Sequence, residues 1–455
     1  MYSLIIAIFV LGYIGIALEH TIKINKTAIA IVTGILCWTL FMFSAPGDVL
    51  LQSADFRKFT NILSAESEAI ASLTASELHR EFVNFSLSEH LSQISQILFF
   101  LLGAMTIVEL VDAHHGFKPI TDRVKTKRVV VLLWVVCWIT FFLSSILDNL
   151  TTTIVMVSLI RKLVPDKESK FFFASMVVIA ANAGGAWTPI GDVTTTMLWI
   201  GGQITSLNIV KALLVPSLAC MIAPLLFLTF KMKGEIGDLG KAAPATSNGD
   251  TTKGPLMLGL GVAALISVPI FKTLTHMPPY AGILLGLGVL WIVSELINPE
   301  TDEAIRKHYT VAGALSRVDV PSVLFFLGIL LAVGALQSMQ VLGELATFLD
   351  VTFGDQRIII TLVGLLSAIV DNVPLVAASM GMYDMAIYPP DHMIWEYLAY
   401  CAGTGGSILI IGSAAGVAMM GMEKVDFVWY LKKISLLALL GYFAGAGVYL
   451  ALNTL

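Results

Sequence analysis

An aspartate followed by an asparagine occurs twice in the middle of a long apolar stretch, and this repetition limits what the chain can fold into. The first copy reads Ser144-Ser145-Ile146-Leu147-Asp148-Asn149-Leu150-Thr151-Thr152-Thr153 and the second Ser367-Ala368-Ile369-Val370-Asp371-Asn372-Val373-Pro374. A carboxylate at membrane depth is costly and is kept mainly where a proton or an ion must pass. Two copies, each beside amide and hydroxyl oxygens, are expected to form two halves of one cation pathway. The rest of the chain suits such a setting: 57% of its 455 residues are hydrophobic and 13% charged. The apolar residues lie in long runs, which implies an all-α polytopic membrane protein. No basic tract points to nucleic acid as a partner. The four cysteines, Cys37, Cys137, Cys220 and Cys401, sit far apart in apolar segments and form neither a disulfide framework nor a metal motif.

Apolar spans fall at about 2–18, 27–45, 91–112, 171–199, 209–230, 255–271, 280–297, 321–342, 393–422 and 429–452. The first lacks a basic leader and a cleavage pattern, so it reads as a membrane helix rather than a secretory signal. Two further stretches, 129–160 and 357–388, are each interrupted at the Asp-Asn phrase. An unbroken helix over the first would run roughly 48 Å, against a hydrocarbon core of about 30 Å. Lys118, Arg123, Lys125, Lys127 and Arg128 precede that stretch, and Arg161, Lys162, Lys167 and Lys170 follow it. Both ends therefore favour the cytoplasm, which predicts a re-entrant helical hairpin with Asp148 and Asn149 near its tip. The second stretch is flanked by Glu344, Asp350, Asp355 and Asp391, with Arg357 the one basic residue close by. It predicts a hairpin entering from the opposite face.

Each hairpin is followed by a span with glycines at its centre. Asn182 through Thr195 contains Gly184, Gly185, Pro189 and Gly191, and Gly403 through Ala414 contains Gly405, Gly406 and Gly412. Gly184 follows Asp148 by 36 residues and Gly405 follows Asp371 by 34. Glycine and proline open the backbone of a membrane helix, and freed carbonyls are tolerated only beside protein or a polar cavity. Residues 91–231 and 321–455 thus share one order: helix, hairpin, broken helix, helix. Their loop charges give them opposite orientations, the pattern of an inverted-repeat transporter with its site between the repeats. Residues 1–90 and 255–320 are expected to be scaffold, with 46–90 polar and lying outside or along the interface. Segment 232–254 reads as a cytoplasmic linker. About ten full spans plus two hairpins put both termini on the extracytoplasmic side.

Asp148, Asp192 and Asp371 are the three acidic residues that this pattern places deep, with no lysine or arginine at comparable depth. Carboxylates without a fixed cation suit a small cation, and a hard ion such as Na+ wants several oxygen ligands. Asn149, Thr151, Asn182, Thr194, Thr195, Ser367, Asn372, Ser407 and Ser413 can supply them. Burial favours the protonated carboxylate and a bound cation the ionised one, so the two ligands compete. The plainer alternative is that Asp, Asn, Ser and Thr here cap helix ends, with Thr151 and Pro374 completing the hairpin turns. For the aspartates an amide would cap as well without the desolvation, which favours function. Glu109, His114 and His115 close a cytoplasmic helix end and form a candidate pH-sensing group, with solvated end-of-helix residues as the alternative.

The phrases at Ser144–Thr153, Asn182–Thr195, Ser367–Pro374 and Gly405–Ser413 resemble the NhaD-type sodium/proton antiporters of the ion transporter superfamily. The resemblance implies a Na+- and Li+-exporting, H+-importing homodimer in a bacterial inner membrane, with no cofactor and an elevator-like movement of the hairpins. It also implies functional positions at Asp148, Asn149, Asn182, Asp192, Thr194, Thr195, Ser367, Asn372, Ser407 and Ser413. The halves are unequal, since Asp192 corresponds to Ser413, and Asp371 is expected to be secondary to Asp148. Arsenite and dicarboxylate transporters of the same superfamily are the nearest alternatives, although Asp-Asn tips would repel a dianion. An intramembrane aspartyl protease would need Gly-x-Gly-Asp where residues 189–192 read Pro-Ile-Gly-Asp.

Overall fold

The computed structural model describes all residues except 48–49, 52, 67–73, 122–125, 127, 232–252, 298–308, 370 and 455. The expected linker lies outside the described residues except for its last two positions, and so do Arg123, Lys125 and Lys127. Among the described residues the chain is helical throughout, with no β-strand. The helices used below are α1 (Tyr2–Ala17), α2 (Lys26–Met42), α3 (Ala54–Glu66), α4 (Ala75–Ala113), α5 (Val129–Ser144) and α6 (Asn149–Leu163). Next come α7 (Lys167–Ala186), α8 (Val193–Ile200), α9 (Ser206–Lys231), α10 (Gly254–Thr275) and α11 (Pro279–Ile297). The last are α12 (Val320–Ser338), α13 (Val341–Phe353), α14 (Gln356–Leu366), α15 (Asn372–Met382), α16 (Met393–Gly405), α17 (Ala414–Glu423) and α18 (Ser435–Thr454).

Seven of these, α4, α7, α9, α10, α11, α12 and α18, are long and apolar enough to cross a membrane. The protein is a multi-pass membrane protein. Helices α1 and α2 are shorter, at 16 and 17 residues, or about 24–26 Å. The spans expected at 171–199 and 393–422 are each cut in two, into α7 and α8 and into α16 and α17. The stretches 129–160 and 357–388 break where the Asp-Asn phrase stands, between α5 and α6 and between α14 and α15. Residues 75–90 belong to the segment 46–90 that is expected outside or along the interface. They continue into the 39-residue helix α4, in which His79, Phe82, Val83 and Ser86 are buried. Its start is a capping box: Glu77 N–H donates to Thr74 Oγ1 at 3.3 Å, and Thr74 N–H to Glu77 Oε2 at 2.8 Å.

Two compact units divide the chain. The first comprises Met1–Leu98, Asp319–Ile359 and Val373–Tyr388. In it α2 and α12 cross at glycines. A Cβ on Gly34 would lie 2.5 Å from the Gly328 carbonyl oxygen, so the contact depends on small residues, as membrane helix pairs commonly do. Trp38 Nε1 donates to the Leu331 carbonyl at 2.8 Å beside this crossing. The amphipathic helix α3 docks on α4 through Phe56, Phe59, Phe82 and Phe85, with ring centroids 5.2–5.6 Å apart across the helices.

The second unit comprises Phe99–Val318, Ile360–Asn372 and Pro389–Leu455. Its centre is α7, buried from Phe171 to Ala186, and α16, buried from Ile394 to Gly405. These two helices touch one another, α5 and α6 pack on α7, and α17 packs on both α6 and α7. All three aspartates of the sequence pattern lie in this unit.

Candidate functional site

The site is assembled where four helices stop. Helix α7 ends at Ala186 and α8 starts at Val193, capped by Asp192, whose Oδ1 accepts from Thr194 N–H at 3.3 Å. Helix α16 ends at Gly405 and α17 starts at Ala414, capped by Ser413, whose Oγ accepts from Gly416 N–H at 3.2 Å. Each break is gripped by its neighbouring Asp-Asn turn in the same way. Ser144 Oγ donates to the Ala181 carbonyl at 2.7 Å, and Ser367 Oγ to the Ala402 carbonyl at 2.9 Å. A Cβ on Gly184 would sit 2.2 Å from the Phe141 carbonyl oxygen, and one on Gly405 only 1.9 Å from that of Gly364. These glycines let one backbone lie directly on another. Gly185 and Gly406 do the same against the carbonyls of Gly191 and Gly412, which close on the Ser144 and Ser367 carbonyls in turn. In the first break Trp187 stacks on Phe141 at 5.9 Å, and Thr188 Oγ1 donates to the Ser145 carbonyl. Pro189 has its carbonyl taken by Thr196 Oγ1 at 2.9 Å.

A neutral network ties the two breaks together. Asn182 Nδ2 donates to Ser407 Oγ at 2.8 Å and Ser413 Oγ at 2.9 Å, while its Oδ1 accepts from Asn149 Nδ2 at 3.0 Å. All four residues are buried. The three aspartates differ sharply from this network and from one another. Asp148 is half-buried and caps α6 with both oxygens: Oδ1 accepts from Thr151 N–H at 2.8 Å and Oδ2 from Thr151 Oγ1 at 2.7 Å. Its backbone has φ +122° and ψ 160°, a region that residues other than glycine rarely adopt, at a strain of about 1–3 kcal/mol. Asp192 is 2% exposed, and its Oδ2 has no hydrogen-bond partner. The hydroxyls of Thr194 and Thr195 in the same turn, and of Thr152 and Thr153 in α6, are also buried without one. Asp148 and Asp371 both lie near enough for their charges to act on Asp192. Asp371 is half-buried at the second turn, next to Asn372, which is buried and opens α15, with Pro374 in its first turn. Among the described residues no lysine or arginine is buried.

These features belong with what the chain resembles in known proteins. The CitMHS family, described as citrate transporter, matches residues 13–403. Sodium/proton antiporter 2 of Arabidopsis thaliana is 44% identical over 450 residues, covering 98% of each chain. Sodium/proton antiporter 1 of the same plant is 49% identical over 98% of this chain and 72% of its own length. The Na(+)/H(+) antiporter NhaD of Vibrio cholerae is 30% identical over 82% of this chain and 81% of its own. The chain belongs to the NhaD-type sodium/proton antiporter family. It is thus a transporter rather than an enzyme.

Within this antiporter-family chain the remaining expected residues are dispersed. Glu109 is paired with Arg317, whose Nε lies 3.1 Å from Oε2. His114 is buried rather than solvated: its Nδ1 is 2.8 Å from the Leu110 carbonyl, and its ring faces Tyr309 at 5.0 Å. His115 takes the left-handed turn that closes α4, at φ +56°. Two features escaped the sequence pattern. Glu396 joins Asp192 as a buried carboxylate, 6% exposed, and its oxygens accept from Asn208 Nδ2 and from Tyr449 Oη at 2.7 Å. It sits ten residues before the second break in sequence, and only its tertiary partners reveal that it is enclosed. The other is Gly403, on which a Cβ would lie 3.2 Å from Asp192 Oδ2.

Proposed function

We propose that the chain exchanges cytoplasmic Na+ and Li+ for external protons. The observation that carries this reading is Asp192, a buried carboxylate with one unpartnered oxygen beside unpartnered hydroxyls. A buried charge without a partner is strongly disfavoured. A proton or a mobile cation can each neutralise it, and whichever binds expels the other. The names of the relatives support Na+ and H+ as the two ions. Asp371 and Asn372 at the second turn, with Thr194, Thr195 and Ser367, complete a set of oxygen donors around the breaks, and Asp148 acts on it through its charge. Asn149, Asn182, Ser407 and Ser413 hold the breaks in register.

The finer reading follows from the same pattern. The recurring turn-and-break contacts support two inverted repeats, 91–231 and 321–455, with re-entrant hairpins at 129–160 and 357–388. Residues 1–90 and 255–320 act as scaffold. Exchange is electrogenic, with more than one proton per sodium, because several carboxylates share the site. The hairpins and broken helices move as one body in a homodimer, and both termini are extracytoplasmic. We assign the chain to a bacterial inner membrane, on its likeness to the NhaD antiporters of Vibrio cholerae and Alkalimonas amylolytica. Cofactors play no part in this scheme.

The test is proton movement in everted vesicles holding a respiration-generated pH gradient, with Na+, Li+ and K+ added separately. Collapse of the gradient by Na+ or Li+ is expected, and its loss in Asp192→Asn. Exchange that ignores an imposed membrane potential would end the electrogenic reading. A second reading has one observation in its favour, the family description as citrate transporter. Against it stands a site of carboxylates with no buried lysine or arginine among the described residues, which would repel a polyanion. Uptake of labelled citrate, or arsenite efflux, without any Na+ response would reverse the assignment.

A further inference from the structure

The contacts at the two breaks align the halves residue by residue, and at one position the alignment brings opposite chemistry together. Ser144 with Ala181 matches Ser367 with Ala402, and Gly184 on Phe141 matches Gly405 on Gly364. Asp192 and Ser413 match as the caps of α8 and α17. On this alignment the residue after Ala181, Asn182, has Gly403 as its counterpart. Each faces the cap of the other half. Asn182 donates its amide to Ser413 Oγ at 2.9 Å. A Cβ on Gly403 would lie 3.2 Å from Asp192 Oδ2 and 3.4 Å from Ala186 Cβ.

The same contact is therefore made twice with the side chains changed. In one seat an amide fills the space and meets a hydroxyl, so every group is satisfied and neutral. In the other the amide is missing and the hydroxyl is replaced by a carboxylate. That carboxylate is 2% exposed, with Oδ2 facing the missing side chain and without a hydrogen-bond partner within 3.5 Å. A buried acceptor in that condition loses its solvation without recompense, unless a ligand supplies the charge.

We propose that the protein has one cation seat, at the Asp192 Oδ2 that Gly403 leaves without an amide partner, and that Asn182 keeps the matching seat shut. Gly403 is not a ligand; it determines specificity by leaving Oδ2 without the amide that Asn182 gives to Ser413. An asparagine at 403 would donate its amide to Oδ2, as Asn182 does to Ser413, and take the place of a Na+ or Li+ ion. The inference rests on the exchange reading above and names which part of that site holds the cation.

The experiment uses the full chain in detergent, with NaCl titrated against choline chloride at constant ionic strength. A ligand that binds only the folded protein raises its melting temperature in proportion to RT ln(1 + [L]/Kd). Wild type is expected to be stabilised by Na+. Gly403→Asn is expected to melt at or above the sodium-free wild type and to show no sodium response, which separates a blocked seat from a damaged fold. The same sodium midpoint in Gly403→Asn as in wild type overturns the proposal. If Gly403→Asn does not fold, Gly403→Ala decides, since its methyl group would press on Oδ2. A midpoint raised more than about threefold supports the seat, and a smaller change overturns it. Two radiosodium ions bound per protomer would also overturn it. Wild type indifferent to Na+ and Li+, with no exchange in vesicles, takes down the exchange reading and the seat together. A wild-type response that survives in Gly403→Asn removes the seat alone.

Discussion

Asp148 and Asp192 do the same backbone task and leave very different chemistry behind. Both cap a helix that restarts after a break. Asp148 has both oxygens held by Thr151, the N–H on one and the hydroxyl on the other, on a backbone bent into a region suited to glycine. Asp192 has one long cap bond at 3.3 Å and one oxygen with no partner. Residue type and depth are alike, so sequence ranks them together. Their partners separate them. Asp148 holds a strained turn with both oxygens, and Asp192 keeps one oxygen without a hydrogen-bond partner.

The contrast is open to direct attack. The largest effect is expected at Asp192: Asp192→Asn keeps a capping side chain but removes the charge, and vesicle exchange should be lost while the protein still inserts. Normal exchange in that variant would take Asp192 out of the mechanism. Asp148→Asn should also abolish exchange in inserted, folded protein, since its charge acts on Asp192. Unchanged transport would reduce Asp148 to a cap. Thr151→Val separates the two roles. It removes the Oγ1 bond to Asp148 Oδ2 and keeps the N–H bond, for a loss of about 1–3 kcal/mol in a detergent melt. Exchange should fall severalfold with the sodium midpoint nearly unmoved. A sodium midpoint shifted as far as in Gly403→Ala would mean that Asp148, too, faces the ion.

The smallest effect is expected at an aspartate cap that stands apart from both breaks in the chain. Asp166, outside the membrane spans, caps α7 through Ser169 N–H at 2.8 Å, and bonds from that backbone and hydroxyl hold its carboxyl below the ordinary range. A carboxyl lowered in the folded state stabilises above its unfolded pKa and loses that contribution as pH falls through the folded one. Asp166→Ala should therefore lower the melting temperature at pH 7 by a small margin that closes below about pH 4. Exchange should not change. A margin that persists in acid would mean that the cap does not depend on its charge.

Much of this site was legible before any coordinates. The breaks at 148, 186–193, 371 and 405–414 were marked by glycine, proline and a polar pair inside apolar runs, because such residues interrupt a membrane helix wherever they stand. The enclosed Glu396 was not legible, since a single glutamate among Trp395, Tyr397 and Tyr400 looks like a helix end until Tyr449 and Asn208 close over it. Residues 75–90 show the same limit: their polar composition gave no sign that Phe82 would be covered by Phe56 and Phe59.

The sequence by itself determined the class of the protein, the number and position of its interruptions, and which polar side chains stand at them. Those depend on hydropathy and on local backbone preference, which are properties of neighbours in the chain. Tertiary structure alone decided which oxygens remain free. Asn182 is satisfied by residues more than two hundred positions away, and Asp192 is left open by a glycine equally distant. Whether a buried polar group is paired depends on what the fold brings opposite it, and the local sequence around each group carries no record of that.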